Sequence, residues 1–343
     1  MLRIVVIVVV AGCGRIDFNP YGAIGAAACG PMPAKLYLGH RATCYLDTNG
    51  ARWCAGEGVG SFSMTGVASM LAGDGGWTEL WPGWQQGVGR HGATIDEWIQ
   101  NDQVITVDTD PSWNDISMTT YGFCMHHTGA DAKCNDGAHA GPWSMIAAGD
   151  NGYAGIMPDG TLWTWGTELG NGLAQGVQPD GTMIAAPTQV GTATDWLFAE
   201  IGDNLACAMK TDRTIWCTGR SDISGTNGID TMGVLTKISP DTDWQWLSVR
   251  FGHGCAAKPG GHVYCWGQDG LGLEIVPGET SVPVPSEIGG YTFDTFLMGG
   301  HHYCAQMTGS TDWYCWGWNA AGQLLLGDTM SRNTPDAPAC TTP

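Results

Sequence analysis

The sequence is poor in charge, and poorest in positive charge. Of 343 residues, 14 are Lys or Arg against 33 Asp or Glu, and charged residues make up only 14%. A net charge of −19 leaves no basic face with which to hold a phosphate backbone, so nucleic-acid binding is excluded. No apolar run approaches the ~20 residues that a membrane-spanning helix needs. Apolar positions nowhere recur at the helical period, which removes helical bundles and α/β folds. The motifs G-x-S-x-G, H-E-x-x-H and the phosphate-binding loop are all missing. Disorder is excluded as well, because 43% of the residues are hydrophobic.

What is abundant is unusual. There are 17 tryptophans, 13 cysteines and 53 glycines. That many cysteines is out of keeping with a reducing cytosol. Residues 1–13 read MLRIVVIVVVAGC: one basic residue, a seven-residue apolar run and two small residues before Cys13. This is the order of a signal peptide. Its small-small-Cys ending resembles the lipobox of bacterial lipoproteins, and the resemblance implies acylation of Cys13 and a lipid anchor in the cell envelope after export. The alternative is a buried, valine-rich first strand. Residues 14–32, rich in Gly, Ala and Pro, read as a tether, and 33–343 as one folded domain.

The remaining twelve cysteines are spaced as hairpins. Nine residues separate Cys44/Cys54, Cys124/Cys134, Cys207/Cys217 and Cys255/Cys265, and ten separate Cys304/Cys315. Turn formers lie between them, as in Asp47-Thr48-Asn49-Gly50. A strand, a short turn and a returning strand oppose the two cysteines at a distance that a disulfide spans. GDNGYAGIMPDGTLWTWG (149–166) aligns without gaps on GDNLACAMKTDRTIWCTG (202–219), with Ala154 and Thr164 at the places of Cys207 and Cys217. Both cysteines are lost together, as bridged partners should be. Cys29 and Cys340 flank the hairpins and are expected to bridge the chain ends; the alternative is two free thiols.

An aromatic residue leads the first cysteine place by eleven positions at Trp113, Trp143, Trp196, Trp244 and Phe293. Units anchored at 44, 88, 124, 154, 207, 255 and 304 follow, with Val88 and Ile99 expected at the cysteine places of a cysteine-free second unit. Such periods belong to a repeat architecture. Four strands of about five residues with turns fill a propeller blade. The expectation is an all-β, seven-bladed β-propeller of four-stranded antiparallel blades, closed by a terminal disulfide. The third unit, only 30 residues long, is expected to be short of a strand. The tryptophans are read as core between blades.

The best copy, GGHHYCAQMTGSTDWYCWGWNAAGQLLLGD (299–328), is similar to the repeat of the regulator of chromosome condensation family. Cys315-Trp316-Gly317, Asn319, Gly322, Gln323 and Leu324 match that repeat; Leu325 stands where the family has Gly. The resemblance is good from Trp143 to Asp328 and poor before Trp113. It implies a seven-bladed propeller. Chromatin binding and guanine-nucleotide exchange, the namesake's activities, do not suit an exported acidic lipoprotein.

For chemistry the sequence offers little. His40, His253 and His301 recur at one place in the repeat and are read as a structural hydrogen bond in each blade. Asp108/Asp110 and Asp241/Asp243 lack the rest of a calcium loop. No catalytic residue, metal site or cofactor is expected. The repeat breaks most between Gly56 and Trp113, where Trp77, Trp81, Trp84, Arg90 and His91 are the candidate binding residues. The expected function is that of a monomeric, lipid-anchored, non-catalytic scaffold that binds a protein or peptide through loops on one face. The alternative is a carbohydrate-binding or glycan-acting propeller that uses Trp81 or Trp84 for stacking.

Overall fold

The computed structural model describes residues 33–335 apart from 34, 58–65, 67, 72–74, 85, 100–102, 111, 114, 121, 168–171, 177–180, 230 and 269–280. Cys13, Cys29, Cys340 and the tether lie outside the described residues. Seven antiparallel sheets follow one another, each in simple chain order. Blade 1 holds Tyr37–Leu38, Ala42–Leu46, Arg52–Gly56 and Ser69–Met70. Blade 2 holds Trp77–Pro82, Gln86–His91, Thr94–Ile99 and Gln103–Asp108. Blade 3 holds Asp115–Met118, Phe123–His126, Ala130–Cys134 and Gly137–Trp143. It therefore has its full four strands, fitted into a short unit by a two-residue turn at Asn135-Asp136.

Blade 4 holds Met145–Ala148, Gly152–Ile156, Leu162–Thr167 and Met183–Gln189. Blade 5 holds Trp196–Ile201, Leu205–Lys210, Ile215–Gly219 and Thr236–Lys237. Blade 6 holds Trp246–Arg250, His253–Lys258, His262–Gln268 and Ser281–Glu287. Among the described residues blade 7 has three strands, Phe293–Met298, His302–Met307 and Trp313–Gly317, and an isolated bridge from Gly317 to Arg332. The molecule is a seven-bladed β-propeller. Among the described residues no helix is long and apolar enough to cross a membrane.

The anchor positions 44, 88, 124, 154, 207, 255 and 304 each fall in the second strand of a blade. Five disulfides join second to third strands: Cys44–Cys54, Cys124–Cys134, Cys207–Cys217, Cys255–Cys265 and Cys304–Cys315, with Cα atoms 4.0–4.1 Å apart. Ala154 faces Thr164 in the same register as Cys207 faces Cys217. Blade 2 departs from its expected register. Val88 faces Glu97, and Ile99 faces Gln86. The cause is a two-residue turn, Gly92-Ala93, which is tighter than the turns of the cysteine hairpins.

Alternation along the third strand gives each blade two different faces. In blade 4, Ala154 packs toward Trp196, Ala206 and Ala208 of blade 5, while Trp165 packs toward Cys124 and Cys134 of blade 3. The same order runs round the ring. Cys207 and Cys217 lie against Trp244 and Trp266; Cys255 and Cys265 against Phe293, Tyr303 and Trp316. Cys304 and Cys315 lie against Tyr45 and Ala55, which closes blade 7 on blade 1; Cys44 and Cys54 lie against Trp77 and Trp98. Each bridge is thus a compact wall for the next blade's indoles. This accounts for the tryptophans: Trp98, Trp143, Trp165, Trp244, Trp266, Trp313 and Trp316 are fully buried.

The turns between second and third strands carry a local relay. Asp159 accepts from the Thr161 hydroxyl at 2.7 Å, and Thr161 accepts from the Trp163 indole at 2.9 Å. Asp212, Thr214 and Trp216 repeat it at 2.7 and 2.9 Å. In blade 1 the Trp53 indole reaches Asp47 directly at 3.2 Å.

Candidate binding face

The first strands of all seven blades line one central cavity of about 480 Å³. At one end of it stand the loops that join first to second strands. Six are closed by the same backbone hydrogen bond, as in Gly39 N to Ala42 O and Gly83 N to Gln86 O, and Arg250 pairs with His253 at the same place in blade 6, which puts the loops in a common register. Glycine holds the equivalent place in five of them: Gly39, Gly83, Gly149, Gly202 and Gly299. The reason is contact. A Cβ on Gly39 would lie 2.6 Å from the Gly83 carbonyl, one on Gly83 2.5 Å from that of Thr119, and one on Gly202 2.8 Å from that of Phe251.

The loops bond to one another in sequence. Gly300 N donates to Gly39 O and His40 O, both at 3.1 Å; His40 N donates to Gly83 O at 3.2 Å; Trp84 N donates to Thr120 O at 3.2 Å. Thr120 N then donates to the Asp150 carboxylate at 2.9 Å, the Asn151 amide to Asp203 at 2.7 Å, and Asp203 N to Phe251 O at 3.0 Å. These bonds narrow the mouth and fix what stands on it. Blade 3 has Thr119 and blade 6 has Arg250 where the other five have glycine, and the Arg250 guanidinium bonds Glu200 of blade 5 at 2.8 Å.

Around this mouth lies a patch of rings. His40 packs against His301 at 4.9 Å, Phe251 at 5.1 Å and Trp84 at 5.6 Å. Phe251 is held at φ +53°, in the left-handed region, which costs a non-glycine residue about 1 kcal/mol. Arg41, paired with Glu57 at 2.9 Å, lies between the indoles of Trp84 (5.6 Å) and Trp318 (4.9 Å). In a meander, the loops joining third to fourth strands emerge on this same face. They add Ile229, Met232 and Val234, which are 58–63% exposed.

Burial, and then the Arg41 charge, lower the pKa of His40 to about 4; burial and then His40 lower that of His301 to about 4. Both are neutral at pH 7. A histidine whose folded pKa is depressed contributes stability that is full above its unfolded value, near 6.5. That contribution falls as the pH drops toward 4, because the unfolded chain binds the proton first. The urea midpoint of the wild type should fall between pH 6.5 and 4 more steeply than that of His301→Gln, and identical slopes would contradict this. Raised carboxyls such as Asp203 act with the opposite sign in both proteins, so the difference isolates the histidine.

The sequence-derived candidates do not form one surface. Trp77 is buried, stacked on His91 at 4.6 Å and packed under the Arg52 guanidinium at 4.3 Å. His91 is tied to Asp96 at 2.8 Å and to Gly75 O at 2.9 Å. Arg90 pairs with Glu79 at 3.2 Å, bonds the Trp113 carbonyl and lies 5.7 Å from the Trp81 ring, which lines the cavity. Only Trp84 stands at the mouth. Trp77, Trp81 and Trp84 are close in sequence but spread along one strand and the loop that follows it.

The histidines also separate. His253 and His302 occupy equivalent places, opposite Gly267 and Gly317, whereas His40 and His301 sit in the loops. His302 Nε2 makes the interblade bond, to Thr43 Oγ1 at 2.8 Å; His253 packs on Tyr303 at 5.6 Å. Lys258 lies between Asp241 (2.8 Å) and Asp243 (3.4 Å), and Lys133 holds Asp108 at 2.8 Å, so a lysine already occupies each acidic pair. Cys134, Asp136 and His139 are close enough to share a metal, but the Cys134 sulfur is bonded to Cys124. Sequence reasoning missed Arg41, Arg250, Phe251 and Trp318. Their signal was the glycine that recurs at the start of five of the seven first-to-second loops.

Fold and face define a disulfide-stapled seven-bladed propeller with a ring-capped channel. No protein-family model matches the chain, and no curated protein matches it. Solved structures do. Yeast RCC1 (Prp20), in its complex with Kap60, is similar at a TM-score of 0.53 and 14% identity, over 90% of this chain and 74% of that one. Human WBSCR16 is similar at 0.52 and 13% identity, over 92% and 83%. The ectodomain of the Physcomitrella patens receptor kinase CR4 is similar at 0.52 and 17% identity, over 82% and 72%. At these identities the likeness is one of fold.

Proposed function

We propose that this chain is a non-catalytic scaffold that holds a protein or peptide partner on the loop-ring face. The observation that carries the reading is Arg41 between Trp84 and Trp318, beside a Phe251 held against its backbone preference. Half-buried aromatics with an arginine are the composition of interface anchors. Strain maintained at a surface point is characteristic of functional sites. Prp20, a propeller of the same shape, has been captured with the protein Kap60. Five disulfides belong to an oxidising compartment. The N-terminal pattern ending in Cys13 makes the proposed setting the cell envelope, with a lipid anchor.

Two experiments test this. Affinity capture with the acyl-free chain should recover a defined protein, and so should Thr48→Ala on the opposite face. Arg41→Ala and Trp318→Ala should lose it. Equal recovery by all four, or by none, would contradict the reading. Separately, palmitate labelling should mark the wild type and spare Cys13→Ser, which should move to the soluble fraction.

A further inference from the structure

The central cavity is a second site, which lies behind the loop-ring face and shares His40 and Phe251 with it. Its volume of about 480 Å³ lies within the ~300–1,000 Å³ of small-molecule pockets. Counting back four residues from the ring position in blades 1 to 6 gives one layer of six residues across the channel. Blades 1 to 3 supply Lys35, Glu79 and Asp115 to it, and blades 4 to 6 supply Met145, Phe198 and Trp246. Half of the girdle is charged and the facing half is apolar and aromatic. Such a division orients a ligand that is itself charged at one end and apolar at the other.

The charges decide the sign. Glu79 is held by Lys35 at 3.3 Å and by Arg90 at 3.2 Å. Deeper in, toward the ring, Glu200 is held by Arg250 at 2.8 Å. Two further carboxylates line the cavity: Asp150, which accepts from Thr120 N at 2.9 Å within the ring of loops, and Asp115, in the same layer as Glu79; among the described residues no cation lies within ion-pair distance of Asp115. Burial raises its carboxyl, the nearby Glu79 adds to that, and His126 opposes it. An arriving ammonium would supply the missing counter-charge. The ring of loops narrows the far end, so the wider entry is from the face where the first strands begin, at which Lys35 is exposed.

We infer that the channel binds a small organic ammonium ion with an apolar body, its nitrogen on the Asp115 carboxylate and its body against Met145, Phe198 and Trp246. Aromatic faces attract cations and shield the alkyl part, and a charge-assisted hydrogen bond to Asp115 fixes the end.

The test is isothermal titration of the full chain with phenethylamine, and with benzyl alcohol and 3-phenylpropionate as neutral and anionic controls. Phenethylamine should bind once per chain and quench tryptophan fluorescence, with the two controls at least about tenfold weaker, the ratio expected of one charge-assisted bond. Asp115→Asn should weaken the amine by a similar factor and leave benzyl alcohol unchanged. Arg41→Ala, at the other face, should bind phenethylamine as the wild type does, so the scaffold reading and this one fail separately. No saturable binding of the amine, equal binding of amine and alcohol, or an Asp115→Asn variant that binds the amine normally would overturn the inference. Asp115 is exposed to the cavity, so its isosteric replacement keeps the fold testable, and near-UV circular dichroism of the variant confirms that.

Discussion

Reduction of the blade disulfides is expected to unfold the protein at 37 °C. Each bridge closes a loop of about ten residues, which in the chain-entropy account stabilises by about 3 kcal/mol. Whole domains are stable by only ~5–15 kcal/mol, so five such terms are as large as the whole margin of a very stable domain. The bridges are also the surfaces on which the next blade's rings pack, as Cys255 and Cys265 are for Phe293 and Trp316. Near-UV circular dichroism with a phosphine reductant should lose its aromatic signal below 37 °C, while the oxidised protein keeps it. One bridge at a time is a gentler matter. Cys207→Ala with Cys217→Thr installs the pair found at Ala154 and Thr164, and should fold with a loss of about 2–4 kcal/mol. Unchanged melting after complete reduction would refute the argument.

The second large effect is expected at the ring of glycines. Gly83→Ala places a Cβ 2.5 Å from the Thr119 carbonyl and 2.6 Å from the Met118 methyl. The methyl can swing aside; the backbone carbonyl can do so only by breaking the loop-to-loop bonds on both sides. Overpacking of this sort costs about 1–3 kcal/mol. The melting temperature should fall by several degrees, and the protons of the ring amides should exchange faster. Gly289 is the control: a Cβ there meets nothing within 4 Å, and its backbone is not in the left-handed region. Gly289→Ala should melt with the wild type. Equal melting of Gly83→Ala and Gly289→Ala would show that the ring is looser than the contacts imply.

The blades were legible where sulfur marked them. Cysteines with nine or ten residues between them fix a hairpin, and the joint loss at Ala154 and Thr164 reports the pairing without any structure. Blade 2 was harder because nothing in Val88 and Glu97 advertises that they face each other. A two-residue turn moved the partner of Val88 by two residues, from Ile99 to Glu97, and Trp98 proved to follow its cross-strand position as Trp266 follows Cys265. The binding face was least legible. Its residues come from different blades, so no stretch of sequence holds Arg41, Phe251 and Trp318 together. Tryptophan density between Gly56 and Trp113 pointed to a strand whose first residue, Trp77, is core and whose next loop holds Trp84. The recurring glycine was visible, but its meaning depends on the neighbouring loop's carbonyl, which only the ring brings near.

A bridge strengthens the joint between its own blade and the one that follows. Blades 2 and 4 carry none: Val88 and Ile95 meet Ile116 and Phe123 of blade 3, and Ala154 meets Trp196 of blade 5. Those two seams therefore divide the wheel into a short arc, blades 3 and 4, and a long arc running from blade 5 through 7 to blade 2. Partial opening should follow these hinge lines rather than spread evenly. Asp115 and Met145 then ride on the short arc, with Phe198 and Trp246 on the long one, so the pocket spans a line along which the ring can breathe.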